Sequence, residues 1–442
     1  MAFEYFCKQN KQTMRLLFSI FLLCAVPCAA QQTITVTVQN PSKTARQDQP
    51  VVISLNDYGR VSSALVTLNG QETASQLDDL DGDEQMDELC FLADLKGKET
   101  KTYSVTLYDE GEPRPYPARV YAEMLMRNDK VKEKNRHNNY VESLTVRGDC
   151  ANSYNLLHHH GVCFESELNG IRIYMDKRQT LDLYGKFKKR LELQQTQFYT
   201  SAEQKQEAYG DDVLWVGNTF GLGAFRGWNG EEPTMIEPVK SRTQRVVSYG
   251  PLRTIVEVVD RGWEAPTLAT HTSESDLSPL TPHPSPLNMT LRYTQYAGHR
   301  DTDVDVFFDR NVGDYRFSTG IIDVKGSVEF SDRKGLRACW GTDYPSTDTV
   351  KWKPETVGLA ILLNKENVVS EVAANKKGPG VESTQGGNYT FVVGTAGRQM
   401  AYKVAYCSAN EEFGFHSAQE WFDWLKAWRR EADQPVIVKV GR

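Results

Sequence analysis

Residues His158 to Lys186 (HHHGVCFESELNGIRIYMDKRQTLDLYGK) bring three histidines, two glutamates, two aspartates, two arginines, two lysines and two tyrosines into one short run. Read with a period of two, Ile171, Ile173 and Met175 alternate with Arg172, Tyr174 and Asp176. A strand here has one apolar face and one face of charge and phenol. Glu165 and Glu167 fall on a neighbouring strand. Such a row suits a sheet lining a sugar-binding cleft; it equally suits a salt-bridged outer face, because ion-pair ladders between strands are common. Adjacent strand residues point opposite ways, so His158 and His160 are expected on one side and His159 on the other. The candidate catalytic residues are His159, His160, Glu165, Arg172, Tyr174 and Asp176. Glu167, Tyr184 and Lys186 are candidate substrate contacts. Metal chelation by the three histidines is a weaker reading, since the spacing assures no further ligand.

Two later stretches carry related chemistry. In DDVLWVGNTFGLGAFRGWNG (residues 211–230) the glycine spacing fits neither a P-loop nor a dinucleotide fingerprint, which excludes nucleotide binding. Trp215, Asn218 and Arg226 mix flat apolar faces with donors, as a loop over a sugar cleft does; glycine turns beside core tryptophans are the other reading. Tyr296, His299 and Arg300 form a second polar set in MTLRYTQYAGHRDTDVDVFFD. Asp79, Asp81, Asp83 and Asp87 take positions one, three, five and nine of a tight turn, a calcium-type arrangement. Glu84 stands where such a loop turns on glycine, and no glutamate fills the twelfth position, so a solvated acidic hairpin is the alternative. Structural calcium is the one ion expected, and no cofactor is required.

The elements that must position these residues are mostly strands. Arg15, the apolar run Leu16 to Val26 and the small residues Cys28-Ala29-Ala30 predict a cleaved export signal over residues 1–30 and a periplasmic protein. The run is too short for a stable anchor, and no later segment is apolar enough to cross a membrane. Of 442 residues, 51 are basic and 58 acidic. Losing the signal removes three basic residues and one acidic, leaving 48 against 57 and a net charge of about −9. That balance argues against a nucleic-acid partner and requires a local basic cluster for any anionic ligand. Five cysteines remain: Cys90, Cys150, Cys163, Cys339 and Cys407. They are too scattered for a disulfide framework, with at most one bridge, Cys150 and Cys163 being the closest pair.

ITVTV, PVVISL, SALVTLNG, DELCFLADL and KTYSVTLY predict a small antiparallel β-sandwich over residues 31–110. EGEPRPYP reads as a linker. Residues 115–442 predict two large sheets face to face, with a helical turn and charged loop within 119–136. A Gln/Glu-rich excursion is expected at 191–209, and an exposed Pro/Ser/Thr insertion at 265–288. Ser417 to Glu420 is a capping box, and Trp421, Trp424, Leu425 and Trp428 recur at helical spacing, giving one C-terminal helix.

The runs LDDLDGDEQMDELCFLADLKGKETKTYSV, HHHGVCFESELNGIRIYMDKRQTLDLYGK and DVLWVGNTFGLGAF resemble the family catalogued as domain of unknown function 4861, exported proteins of the Bacteroidetes encoded beside polysaccharide lyases and unsaturated-uronate hydrolases. The similarity spans most of the chain, with Glu84 and the insertion near residue 275 as departures. It implies a mainly β, galactose-mutarotase-like β-supersandwich and an acidic carbohydrate partner, but no reaction. Three functions follow. A lyase acting on uronate-containing oligosaccharides would use Arg172 or Lys186 against the carboxylate, Tyr174 or a histidine as base, and Tyr184 or another histidine as acid. A mutarotase or epimerase would use a histidine–carboxylate pair, and a glycosidase two carboxylates from Glu165, Glu167 and Asp176. A non-catalytic carbohydrate-binding accessory protein would need only the arginine and aromatic contacts. On these readings Arg172→Ala should abolish binding of acidic sugars and leave folding intact.

Overall fold

Strict alternation builds the first layers. In Gln31–Gln39, Ile34, Val36 and Val38 are buried while Thr33 and Thr35 are exposed. The computed structural model describes residues 31–148, 153–267, 285–374 and 387–441; the expected export signal, Cys150 and most of the 265–288 insertion lie outside them. A sheet ordered Ile437–Gly441, Gln31–Gln39, Thr100–Tyr108, Ser63–Leu68, Gln71–Thr73 shares one core with a three-stranded sheet, Arg46–Ser54, Glu88–Leu95, Ser75–Asp78. This is the expected small sandwich, with one addition. The last strand pairs antiparallel with the first, Val38 opposite Val438, so the chain's end closes the layer its beginning opened.

The larger part has nine antiparallel strands in one sheet, ordered Val328–Ser331, Leu336–Asp343, Glu355–Leu363, Gln399–Ser408, Asp301–Phe308, Leu287–Tyr296, Arg253–Trp263, Ser241–Ser248, Ser143–Arg147. Its inner face packs on two five-stranded sheets through a single core that includes Phe164, Ile171, Ile173, Leu183, Val256, Leu291, Val304 and Tyr402. Tyr406 rivets the layers: its hydroxyl accepts the Gly170 N–H at 2.7 Å and lies 2.6 Å from the Gly170 carbonyl. The fold is mainly β, with two large layers and a small sandwich, as the strand pattern predicts.

The sheet carrying the 158–186 run is ordered Asp211–Asp212, Leu181–Gly185, Gly170–Tyr174, Gly161–Ser166, Val120–Glu123. Val120–Glu123 falls where a helical turn was expected. Val120 and Ala122 are fully buried, so the period is two and the strand pairs with Cys163–Ser166. The outer face of this sheet is roofed by the excursion after Lys186. Its helices are α1 (Leu193–Thr196) and α2 (Ala202–Gln206), the second opened by a Ser201/Gln204 capping box. The C-terminal helix α3 (Ala418–Ala432) is capped by Ser417, which accepts the Glu420 N–H, while Glu420 reaches back to the His416 N–H. It buries Trp421, Leu425 and Trp428 against Leu336, Ala338, Ala360 and Ala405.

Candidate functional site

Alternation in Gly170–Tyr174 sends Ile171 and Ile173 into the core and Arg172 and Tyr174 to the outer face. The roof covers that face, so Arg172 is 4% exposed and Tyr174 5%. Cross-strand register sets Asp182 opposite Arg172. The Arg172 guanidinium donates to Asp182 at 2.6 Å and to Asp212 at 2.9 Å through one nitrogen, and the Tyr174 hydroxyl donates to Asp182 at 2.5 Å. Phe198 lies under the guanidinium, 4.2 Å from its ring centre. Burial, then the Asp182 charge, pushes the Asp212 carboxyl well above the usual range. Burial raises the Tyr174 phenol likewise.

At the half-buried edge of this network a second group gathers. The His160 ring stacks on Tyr154 at 3.7 Å, nearly parallel, and Tyr154 meets Tyr174 edge-on at 5.0 Å. The Arg178 guanidinium lies 4.8 Å from the ring centres of both Tyr154 and Tyr174 and is held by Asp176 at 2.5 Å. His160 has a φ of +69°, a left-handed backbone that a non-glycine residue adopts at a cost and that concentrates at functional sites. Burial, then the Arg172 charge, lowers its imidazole to about 4. Imidazole, phenols, guanidinium and carboxyls therefore share one rim: His160, Tyr154, Arg178, Tyr199 and Asp212, with Arg172 and Asp182 behind.

The other predicted residues are placed elsewhere. The three histidines sit in a turn before the strand that starts at Gly161, so strand alternation does not govern them. His159 turns inward onto Glu123. Glu165 is buried and binds Lys186 at 2.5 Å; it also accepts the N–H groups of Glu192 and Leu193, so it caps α1. Lys186 donates further to the Ser166 and Arg190 carbonyls. Tyr184 is buried beneath the roof, 2.8 Å from the Gly210 carbonyl. Glu167 holds Arg119 at 2.6 Å. Arg226 is buried and ties the glycine-rich loop to itself through the Asn218 and Thr219 carbonyls, and burial lowers it to about 9; Trp215 and Asn218 are half-buried in the same loop. Arg300 faces Glu411 at 2.8 Å.

Tyr296 and His299 line the larger of two adjoining hollows on the outer face of the nine-stranded sheet, about 710 Å³, beside the small sandwich and α3. His299 is fixed by Asp301 at 3.2 Å and the Asp48 carbonyl at 2.9 Å. Six carboxylates line this hollow against four lysine and arginine side chains, a field that disfavours an acidic sugar. In the acidic turn, oxygens of Asp79, Asp81 and Asp87 lie within 4.8 Å of one another. Asp79 accepts the Gly82 and Glu84 N–H groups, and Asp87 the Leu80 N–H. Glu84 takes the left-handed conformation, φ +68°, that glycine fills in calcium loops. Cys163 is a buried free thiol.

Residues 38–438 match the family described as a domain of unknown function, DUF4861. The chain belongs to that family. No functionally curated protein matches it. Among solved structures, it is similar to a protein in glycosyl hydrolase family 38 from Enterococcus faecalis, with 11% identity and a TM-score of 0.46 over 93% of this chain and 47% of that one. An alpha-mannosidase from Enterococcus faecalis gives 10% identity and a TM-score of 0.45, over 93% and 46%. The chain thus spans about half the length of these structures.

Sequence reasoning missed several parts of the rim of this DUF4861 member. Tyr154 lies just ahead of the charged run, Tyr199 in the excursion and Asp212 at the start of the glycine-rich loop, while Asp182 belongs to the run without a role of its own. Arg178 was counted in the run but given no role. The available signal was register: Asp182 sits eleven residues beyond Ile171 on a strand of the same parity pattern, which sets it beside Arg172 once the hairpin turn is placed. No helix among the described residues is long and apolar enough to cross a membrane.

Proposed function

We propose that this protein binds uronate-containing oligosaccharides at the Tyr154–His160–Arg178 rim and cleaves them by β-elimination. The observation that carries the reading is the contact chain itself, in which one imidazole stacks on one phenol that lies under one guanidinium. β-Elimination needs these three groups: a cation against the C5 carboxylate, a base for the C5 proton and an acid for the departing oxygen. In this reading Arg178 faces the carboxylate and His160 takes the C5 proton. Electrons of the C5–H bond form the C4–C5 double bond, the C4–O bond breaks, and Tyr154 or Asp212 protonates the leaving oxygen. Arg172 and Asp182 hold Tyr174 and Asp212 in place from behind.

One observation favours a second reading. Asp182 and Asp212 flank a single guanidinium, and burial raises the Asp212 carboxyl, so the pair offers two carboxyls in unlike surroundings, the kind of pair that glycoside hydrolysis uses. Incubating the protein with pectin- and alginate-derived oligomers separates the two. New absorbance from unsaturated uronate ends, reduced about 10²–10⁴-fold in His160→Asn, supports elimination. Cleavage without absorbance assigns the site to hydrolysis. Binding without product across acidic oligomers leaves a carbohydrate-binding accessory protein and overturns both.

A further inference from the structure

One strand away from Arg172 lies a second cluster. Cys163 and Glu123 are direct antiparallel partners, so both side chains leave the sheet on its outer face at close range. The turn before Gly161 folds His159 onto the same spot. All three are sealed from solvent, at 0%, 1% and 0% exposure for Cys163, Glu123 and His159.

The ring orientation of His159 is decided by its surroundings. Its Nδ1 lies 2.9 Å from the Gly161 carbonyl, which can only accept, so Nδ1 carries the hydrogen. Its Nε2 faces the Glu123 Oε1 at 3.1 Å, in position to offer a lone pair to a metal ion. The Cys163 sulfur is 3.5 Å from that nitrogen and 3.7 Å from that oxygen. Three potential ligand atoms turn toward one another in a dry interior, all within reach of a single metal ion. A proton bridges only two of them; a metal ion serves all three.

We propose that Glu123, His159 and Cys163 form a buried structural zinc site that pins the turn carrying His160. With zinc bonds of about 2.3 Å to sulfur and about 2.0–2.1 Å to nitrogen and oxygen, a tetrahedron separates N from O by about 3.3 Å and S from either by about 3.5 Å. The observed triangle of 3.1, 3.5 and 3.7 Å has those dimensions. Charge agrees as well. A divalent cation with one thiolate, one carboxylate and one neutral imidazole is neutral overall, the state that a buried site tolerates. The set of sulfur, imidazole and carboxylate suits zinc over magnesium or calcium. Outer partners are in place: Gly161 orients His159, and the Tyr121 hydroxyl donates to the second Glu123 oxygen at 2.7 Å. A water molecule or that second oxygen completes the coordination. Binding releases the Cys163 proton to solvent.

The test uses the full chain, purified from zinc-supplemented medium and dialysed against a chelator. Elemental analysis should find one zinc per chain. Unfolding in chelator and refolding with cobalt(II) should give a thiolate-to-cobalt charge-transfer band that Cys163→Ser lacks. Should that variant fail to fold, the wild-type spectrum still decides. Wild-type protein that refolds with native circular dichroism, takes up neither metal and melts at one temperature with or without chelator overturns the proposal. The result is independent of oligosaccharide turnover, so failure of the lyase reading leaves it untouched.

Discussion

Arg172 shows how far residue types alone can be read. Its place on a polar strand face was legible from alternation, and so was its association with Tyr174. Its burial was not, because the roof that covers it begins fifteen residues later. Sequence reasoning made Arg172 a ligand contact whose removal would spare the fold. In the structure its guanidinium lies between two carboxyls, the buried Asp182 and the half-buried Asp212. Arg172→Ala should therefore cost about 3–5 kcal/mol, since it strands buried partners without a counter-charge. Urea unfolding followed by circular dichroism checks this; an unchanged midpoint would return Arg172 to a purely binding role. Asp305 gives a second prediction at this scale. Burial, then the charge of Asp303, pushes its carboxyl up to about 6, above its unfolded value near 3.9. The folded state thus binds the proton more tightly. The associated stability is fully present below about pH 4 and is lost as pH rises through about 6. Asp305→Asn should stabilise the protein by about 1–2 kcal/mol at pH 8 and leave it unchanged at pH 4, measured by denaturant midpoints.

At the scale of elements, the strands and α3 were legible because both rest on a period: two for Ile34, Val36 and Val38, and 3.6 for Trp421, Leu425 and Trp428. The roof was legible only as an excursion. Its two helices have four and five residues, too short for a helical stripe to appear. What holds α1 is a tertiary contact. Glu165 reaches from a neighbouring strand to accept the first N–H groups of α1 while neutralising Lys186. A carboxylate in that position satisfies orphan donors and favours the positive end of the helix. Glu165→Ala removes the cap and leaves the Lys186 ammonium buried without a counter-ion. The expected loss is about 3–5 kcal/mol, with cleavage by trypsin after Lys188, Lys189 or Arg190 appearing before any cut in the nine-stranded sheet. If the roof stays resistant, its attachment comes from Leu193, Phe198 and Tyr184 packing together.

For the whole molecule, local pattern carries the layers but not their closure. Nothing within PVIVKV states that it pairs with a strand some four hundred residues earlier, since cross-strand partners are chosen by which edge is free. In the structure, Ile437–Gly441 covers the edge of Gln31–Gln39 through five paired positions, and Val438 adds to the small sandwich core. The Arg46 guanidinium donates to the Glu431 carbonyl at 3.1 Å, tying the end of α3 to the same sandwich. The small sandwich is thus built from both ends of the described chain, with the large layers between them. Ending the chain at Gln434 keeps α3 and the Arg46 contact but uncovers the Gln31–Gln39 edge, with its alternating Ile34, Val36 and Val38. An uncapped edge of that kind pairs with other chains. The truncated protein should keep the near-ultraviolet signal of the α3 tryptophans, unfold at lower urea, and associate in a concentration-dependent way on size-exclusion chromatography. Unaltered stability with strictly monomeric elution would mean that the small sandwich closes on its own seven remaining strands, and that the returning strand is an ornament of the edge rather than its seal.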